Sequence, residues 1–244
     1  MISGIKYFFS GFKLIFSPGI KRFVIIPLLI NISLFAIGFW LGITWFDQFL
    51  ASVLPAWLAW AEYILLPLFA LSYFLIVFYL FALLANIIAA PFNGLLAERV
   101  EQHLHGTDIQ QVDSSFKQIL IELPRTVGSE ISKLLYFLLR SLPLLILFLI
   151  PGINIFAPIL WFLFSAWMLS IEYLDYPLGN HNILFKQTRT LVKTQRIKCL
   201  GFGGLVSVFT MIPIVNFFVM PVAVAGATVF FVDTFSTNKQ INKN

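Results

Sequence analysis

The chain has 244 residues, 59% of them hydrophobic and only 11% charged, where a soluble domain carries roughly a quarter. Too little polar surface is present to cover a water-soluble core, too much apolar residue for disorder, and one cysteine builds no disulfide framework, so this is an integral membrane protein. The net charge of +5 rests on sixteen basic residues thinly spread among twenty-eight Phe, which suits anchoring to anionic lipid head groups and not a nucleic-acid-binding face.

The first segment, residues 1–22, places Ile2, Ile5, Phe9, Phe12 and Phe16 at helical spacing opposite Lys6 and Lys13. That pattern predicts an interfacial helix rather than a cleaved signal, followed by a loop at Ser17-Pro18-Gly19-Ile20-Lys21-Arg22. Residues 23–46 carry no charge and reach about 36 Å as a helix, enough for a first transmembrane crossing. The stretch from Asp47 to Glu62 holds Trp57 and Trp60 and no basic residue, and reads as the outer side. Residues 63–97 reach about 52 Å, too long for one straight crossing, and contain the breakers Ala90-Pro91-Phe92-Asn93-Gly94. A second crossing ending near Asn86, with a bent continuation, is expected.

Residues 114–139 are amphipathic, with Phe116, Ile119, Leu123, Val127, Ile131 and Leu134 on one face and Lys117, Glu122, Arg125, Glu130 and Lys133 on the other. They predict a helix lying on the inner leaflet. Two apolar regions follow, 141–171 and 201–232, each broken near its centre by Pro151-Gly152-Ile153-Asn154 through Pro158 and by Pro213-Ile214-Val215-Asn216 through Pro221. Uninterrupted arms of 10 to 13 residues fall short of the roughly 17 needed to cross, which predicts two re-entrant, half-membrane helical hairpins. The competing reading is two pairs of full spans with very tight outer turns. Against it, the turns carry neither charge nor a Trp anchor. Pro158 and Pro221 suit the first position of each second arm, whose N–H groups would then face inward. Residues 233–244 form a polar tail. The expected architecture is therefore an all-α integral membrane protein of two long transmembrane helices, two re-entrant hairpins and amphipathic interfacial helices in one membrane domain. All basic residues lie in Lys6–Arg22, Arg99–Arg140, Lys186–Lys198 and the tail, so the positive-inside bias puts both termini in the cytoplasm.

No enzyme constellation emerges. His103 and His105 diverge on a helix, His181 stands apart in a loop, and no Cys or acid completes a metal spacing, so neither a metal nor another cofactor is expected. Gly201-Phe202-Gly203-Gly204 lacks the Lys-Ser/Thr of a phosphate loop and reads as close helix packing. Anion handling fits better. Lys21 and Arg22 stand at a helix N-terminus, where the macrodipole disfavours cations, and an oxyanion held by the Gly19–Arg22 segment would relieve that conflict. The competing reading is that both are ordinary positive-inside anchors. Asn86, Asn93, Asn154 and Asn216 lie in apolar surroundings, where they either tie helices together or line a path. Glu98, Glu172, Asp175 and Asp233 each end an apolar run and are candidates for carrying a proton.

These segments together resemble a known family. Ser17 to Val24 (SPGIKRFV), Ile88 to Glu98 (IAAPFNGLLAE), Ile150 to Asn154 (IPGIN), Trp161 to Met168 (WFLFSAWM), Glu172 to Pro177 (EYLDYP) and Phe209 to Asn216 (FTMIPIVN) are similar, in this order from about Phe8 to Asp233, to the CysZ family of bacterial sulfate permeases. The resemblance implies an inner-membrane protein that imports sulfate for cysteine biosynthesis in a proton-dependent way. It also implies that Gly19, Ile20, Lys21 and Arg22 recognise the sulfate ion. Relatives often carry Arg-Arg where this chain has Lys21-Arg22, which keeps the charge and loses one planar fork. With four membrane elements per chain, two of them incomplete, a homo-oligomer is expected to enclose the path within the lipid bilayer. The alternatives are a non-transporting inner-membrane scaffold or lipid-binding assembly factor, and a permease for another oxyanion such as sulfite or thiosulfate.

Overall fold

The computed structural model describes residues 2–53, 67–68, 71–75, 92–106 and 116–236. Among these, every regular element is helical: α1 (Ile2–Leu14), α2 (Arg22–Val53), α3 (residues 92–105), α4 (Phe116–Leu149), α5 (Ala157–Asn180), α6 (Phe185–Thr194), α7 (Arg196–Thr210) and α8 (Pro213–Thr234). Among the described residues three stretches are long and apolar enough to cross a membrane, namely Ile131–Leu149, Asn154–Asn180 and Val215–Thr234. The chain forms two compact units, one of residues 23–92 and one that joins residues 1–22 to 93–244.

In the first unit α2 continues through Asp47 to Val53, so the helix outruns the expected 23–46 crossing. Its hydrogen-bond ladder is indifferent to a single acid, and its 32 residues reach about 48 Å. Ile25, Ile26, Leu29, Ile32 and Trp40 are exposed along it, an apolar surface suited to lipid or to another copy of the chain. Asn86, Ala90 and Pro91, and with them the expected end of the second crossing, lie outside the described residues.

The second unit is built around the groove between α7 and α8, into which α1 is pressed backbone to backbone. A Cβ on Gly11 would overlap the Val222 carbonyl and the amide of Gly226 on α8, while one on Gly226 would lie 2.6 Å from the Tyr7 carbonyl. Small residues let these helices touch where no hydrophobic force between lipid-facing surfaces would draw them together. Tyr7 stacks on Phe230 at 4.6 Å, and Phe8 meets Phe209 at 5.0 Å. The buried face of α1 is therefore Phe8 with Gly4 and Gly11, continued by Ile15 just past its end, whereas Phe9, Phe12 and, beyond the helix, Phe16 are exposed. The expected apolar stripe is real, but it is the outer face, and a second stripe of mixed size does the packing. On the other side, α5 crosses α7 where a Cβ on Gly203 would strike the Ala166 carbonyl. There the Ser170 hydroxyl donates to the carbonyls of Ala166 and Cys199.

Both hairpins differ in detail from the expected ones. The amphipathic stretch 114–139 and the first arm are a single helix, α4, with no break near Ser141. The chain reverses at Ile150–Phe156 through Gly152 at φ 84° and a 3-10 turn, Asn154–Phe156. Pro158 then sits in the first turn of α5, as its missing N–H favours. In the second hairpin the turn is only Met211–Ile212. Extended backbone at Ile212 precedes Pro213, which opens α8, and the helix runs on through Pro221 to Thr234. Pro221 is thus interior to a helix instead of opening one. Helices of 34, 24, 15 and 22 residues replace arms of 10 to 13, because they continue past the apolar runs into polar residues.

Candidate functional site

Between α1 and α2 the loop 15–21 is wound tightly on itself. Ser17 N–H donates to Leu14 O at 2.9 Å, and the Ser17 carbonyl accepts from both Ile20 and Lys21 N–H at 3.2 Å. Pro18 contributes no N–H, and Gly19 takes φ 85°, which a side chain would resist, with no atom near the place a Cβ would occupy. Ile20 is 2% exposed and pins the loop to the protein, whereas Lys21 and Arg22 are exposed at the start of α2. Of the four residues expected to recognise an anion, Ile20 therefore holds the loop in shape with its side chain buried and its N–H engaged. Gly19, Lys21 and Arg22 present a bare backbone and two cations at the mouth of a helix, where α2's first N–H groups also point.

The polar residues of the second unit gather where the middle of α4 meets the C-terminal part of α5 and the start of α6, and along α3. Lys133 of α4 is buried, with its side chain 11% exposed, and its Nζ lies 3.0 Å from Glu172 Oε2 and 3.1 Å from Asp175 Oδ2. Glu172 and Asp175 are three apart on α5 and share a face. Asp175 also accepts from Thr188 Oγ1 at 3.2 Å, and Ser129 Oγ of α4 accepts from the Phe185 N–H that opens α6. Two of the expected proton carriers are thus held by one lysine. Glu98 accepts from Gln102 Nε2 at 3.0 Å within α3, and Asp233 is exposed near the end of α8.

Asn93 is buried, and its Nδ2 contacts Tyr176 Oη of α5 at 3.3 Å and Met220 Sδ of α8 at 3.2 Å. It ties three helices together. Asn154 lies exposed in the turn of the first hairpin, and Asn216 exposed in the first turn of α8. Asn86 lies outside the described residues.

His181, which sequence left alone in a loop, holds α3 through Glu101. Its Nε2 lies 2.8 Å and 3.0 Å from the two oxygens of Glu101, and its ring packs on Phe231 at 4.9 Å. Next to it, Asn180 Nδ2 donates to the Gly94 carbonyl at 2.9 Å. The hydrogen bond to Glu101 raises the His181 pKa above its ordinary value, against the opposing effect of burial. Lys133 and His181 each neutralise an acid that folding partly covers, Asp175 and Glu101, a pairing between helices that no spacing along one helix signals. Among the described residues no group of His, Cys, Asp and Glu is placed to hold a metal ion.

Comparison with known proteins now bears on this arrangement. The family described as "Sulfate transporter CysZ/Etoposide-induced protein 2.4" matches residues 7–221. A protein of Salmonella typhimurium named "Sulfate transporter CysZ" is 49% identical over 95% of this chain and 92% of its own length. Proteins of the same name from Salmonella paratyphi A and Salmonella typhi are 48% identical over the same shares.

Proposed function

The chain belongs to the Sulfate transporter CysZ/Etoposide-induced protein 2.4 family, and on that premise we propose that it is a sulfate permease of the bacterial inner membrane, supplying sulfate for cysteine biosynthesis. The observation that carries the reading is 49% identity across 95% of the chain to a protein named as a sulfate transporter. Its task is translocation, not catalysis. A dianion cannot enter hydrocarbon unaided, so the protein must replace its hydration with fixed donors and cations.

In this reading sulfate docks at the Gly19–Arg22 loop. The left-handed Gly19 keeps the loop free of side-chain bulk, Arg22 offers a fork of N–H donors, Lys21 adds charge, and the opening turn of α2 adds aligned amides. Ile20 acts by anchoring the loop. The hairpins α4–α5 and α7–α8 dip into the bilayer and return to the side they left. That topology is supported by the uncharged turns; because Ile131–Leu149, Asn154–Asn180 and Val215–Thr234 are each long enough to cross, it requires these helices to lie inclined, with part of their length in the interface. Asn154 and Asn216, exposed at the two turns, line the route, and further copies of the chain complete its wall. A coupled proton would reside on Glu172, which is the more exposed of the two carboxylates on Lys133 and lacks the Thr188 bond that holds Asp175.

Uptake of radiolabelled sulfate into proteoliposomes tests the proposal. Flux above that of empty vesicles is expected, lost on Arg22→Ala and reduced by Asn154→Ala or Asn216→Ala. Wild-type protein that gives no flux over empty vesicles overturns transport.

A further inference from the structure

Two arginines flank one tyrosine ring, well removed in sequence from the Gly19–Arg22 loop. The guanidinium carbon of Arg189 on α6 lies 5.2 Å from the centroid of Tyr136 on α4, and that of Arg140, one turn further along α4, lies 5.7 Å from it. Phe185 closes the ring's surroundings at 5.6 Å. Arg189 Nε is buried and has no hydrogen-bond partner. Nor does any ion pair among the described residues join a carboxylate to either arginine; Glu172 and Asp175 of α5 pair with Lys133.

Stacking on a ring satisfies the face of a guanidinium and leaves its in-plane N–H groups unmet. The edge of a guanidinium is the fork that grips two oxygens of a tetrahedral oxyanion. Arg140 has the matching problem on the outside. It is exposed within the apolar stretch Ile131–Leu149, between Leu139 and Leu142, which are themselves exposed and therefore face lipid. A cation there requires an anion at the membrane surface. α6, which carries Arg189, is held against this surface by the Thr188–Asp175 and Phe185–Ser129 bonds, so its arginine is presented in a fixed place.

We infer that Arg189, Tyr136 and Arg140 form a second oxyanion site, separate from the Gly19–Arg22 loop, that takes a tetrahedral phosphate or sulfate group at the edge of the bilayer. Two sources offer that chemistry: the phosphodiester of an anionic lipid, and sulfate itself. The inference does not depend on transport, since it concerns binding to the purified full-length protein.

The test has two arms on the same proteins: wild type, Arg189→Gln, Arg140→Gln and Arg189→Lys. In the first, retention of phosphatidylglycerol against phosphatidylcholine is read by native mass spectrometry. In the second, equilibrium binding of labelled sulfate is measured with Arg22→Ala present, so that the loop does not dominate. Loss of a charge-assisted hydrogen bond should weaken the occupied arm about tenfold in Arg189→Gln. Arg189→Lys, which keeps charge without the fork, should fall between it and wild type. A change in the lipid arm assigns the site to a head group, and a change in the sulfate arm assigns it to the transported ion. Arg140→Gln, a substitution at an exposed position, keeps the test valid should Arg189→Gln fold poorly. If phosphatidylglycerol retention and sulfate binding are both unchanged in Arg140→Gln and Arg189→Lys, the site does not exist.

Discussion

Replacing Lys133 by Met removes the cation around which α4, α5 and α6 are assembled. The ammonium is the shared partner of Glu172 at 3.0 Å and Asp175 at 3.1 Å, and without it two carboxylates three residues apart on α5 face a desolvated gap. Removing one member of a buried ion pair costs about 3–5 kcal/mol, because the remaining charge stays buried and unpaired. Glu172, whose side chain is 42% exposed, can turn to water, and Asp175, at 16%, keeps the Thr188 hydroxyl. Those two reliefs place the cost near the low end, about 3 kcal/mol. For a chain of this length that corresponds to a fall of roughly 6–12 °C in the apparent melting midpoint, readable by tryptophan fluorescence in detergent. The companion variant Lys133→Met with Glu172→Gln and Asp175→Asn removes the stranded charges and should recover most of the loss. A single variant that melts with the wild type, or a triple variant no better than the single one, would refute the assignment of Lys133 as a buried counter-charge.

Other outcomes follow from the same structure. Gly203→Val forces a side chain into the Ala166 carbonyl and should separate α5 from α7, giving protein that aggregates on size-exclusion chromatography, whereas Gly128→Ala, in open space, should behave as wild type. Gly19→Val meets the left-handed penalty of about 1–2 kcal/mol and should lower sulfate binding by roughly tenfold in equilibrium binding, with little effect on the melting midpoint if the loop alone rearranges. His181 has its pKa raised by Glu101, so its contribution to stability is complete below the unfolded value of 6.5 and is lost as pH climbs through the higher folded value. Melting midpoints measured across that interval should decline with pH in wild type and stay flatter in His181→Gln.

Sequence reasoning reads membrane chains well in one respect and poorly in another. The Ser17-Pro18-Gly19 turn, the start of α2 at Arg22, the reversal around Pro151-Gly152 and the place of Pro158 were all visible, because Pro and Gly act through local backbone sterics that tertiary context seldom overrides. The role of Pro221 was not, since a proline inside a helix and one at its start differ only in what the residues before it are doing, and Pro213 had already opened α8. The apolar stripe of α1 reads as the face of an interfacial helix, and Phe9, Phe12 and Phe16 are indeed exposed; what stays hidden in the sequence is that Gly4 and Gly11 do the packing, because a missing side chain leaves no hydrophobic signal. Lys133 and His181 escaped because a charge pattern along one helix says nothing about which helix will cover it. At the candidate site the turn at Gly19 could be read, but the division of labour between a buried Ile20 and exposed Lys21 and Arg22 could not, since it depends on which way each side chain leaves the turn.

The seating of α1 between α7 and α8 sets a constraint on biogenesis. Helix α1 docks on α7 and α8, which follow it far along the chain, so from its emergence until theirs, on the order of ten seconds or more, Gly4, Phe8 and Gly11 lack the neighbours they have in the fold. During that interval the amino-terminal helix must be parked on the membrane surface, and its outward phenylalanines can serve as the float. A nascent chain arrested before Val222 would leave that helix without its seat, which makes α8 the latch that holds α1 down.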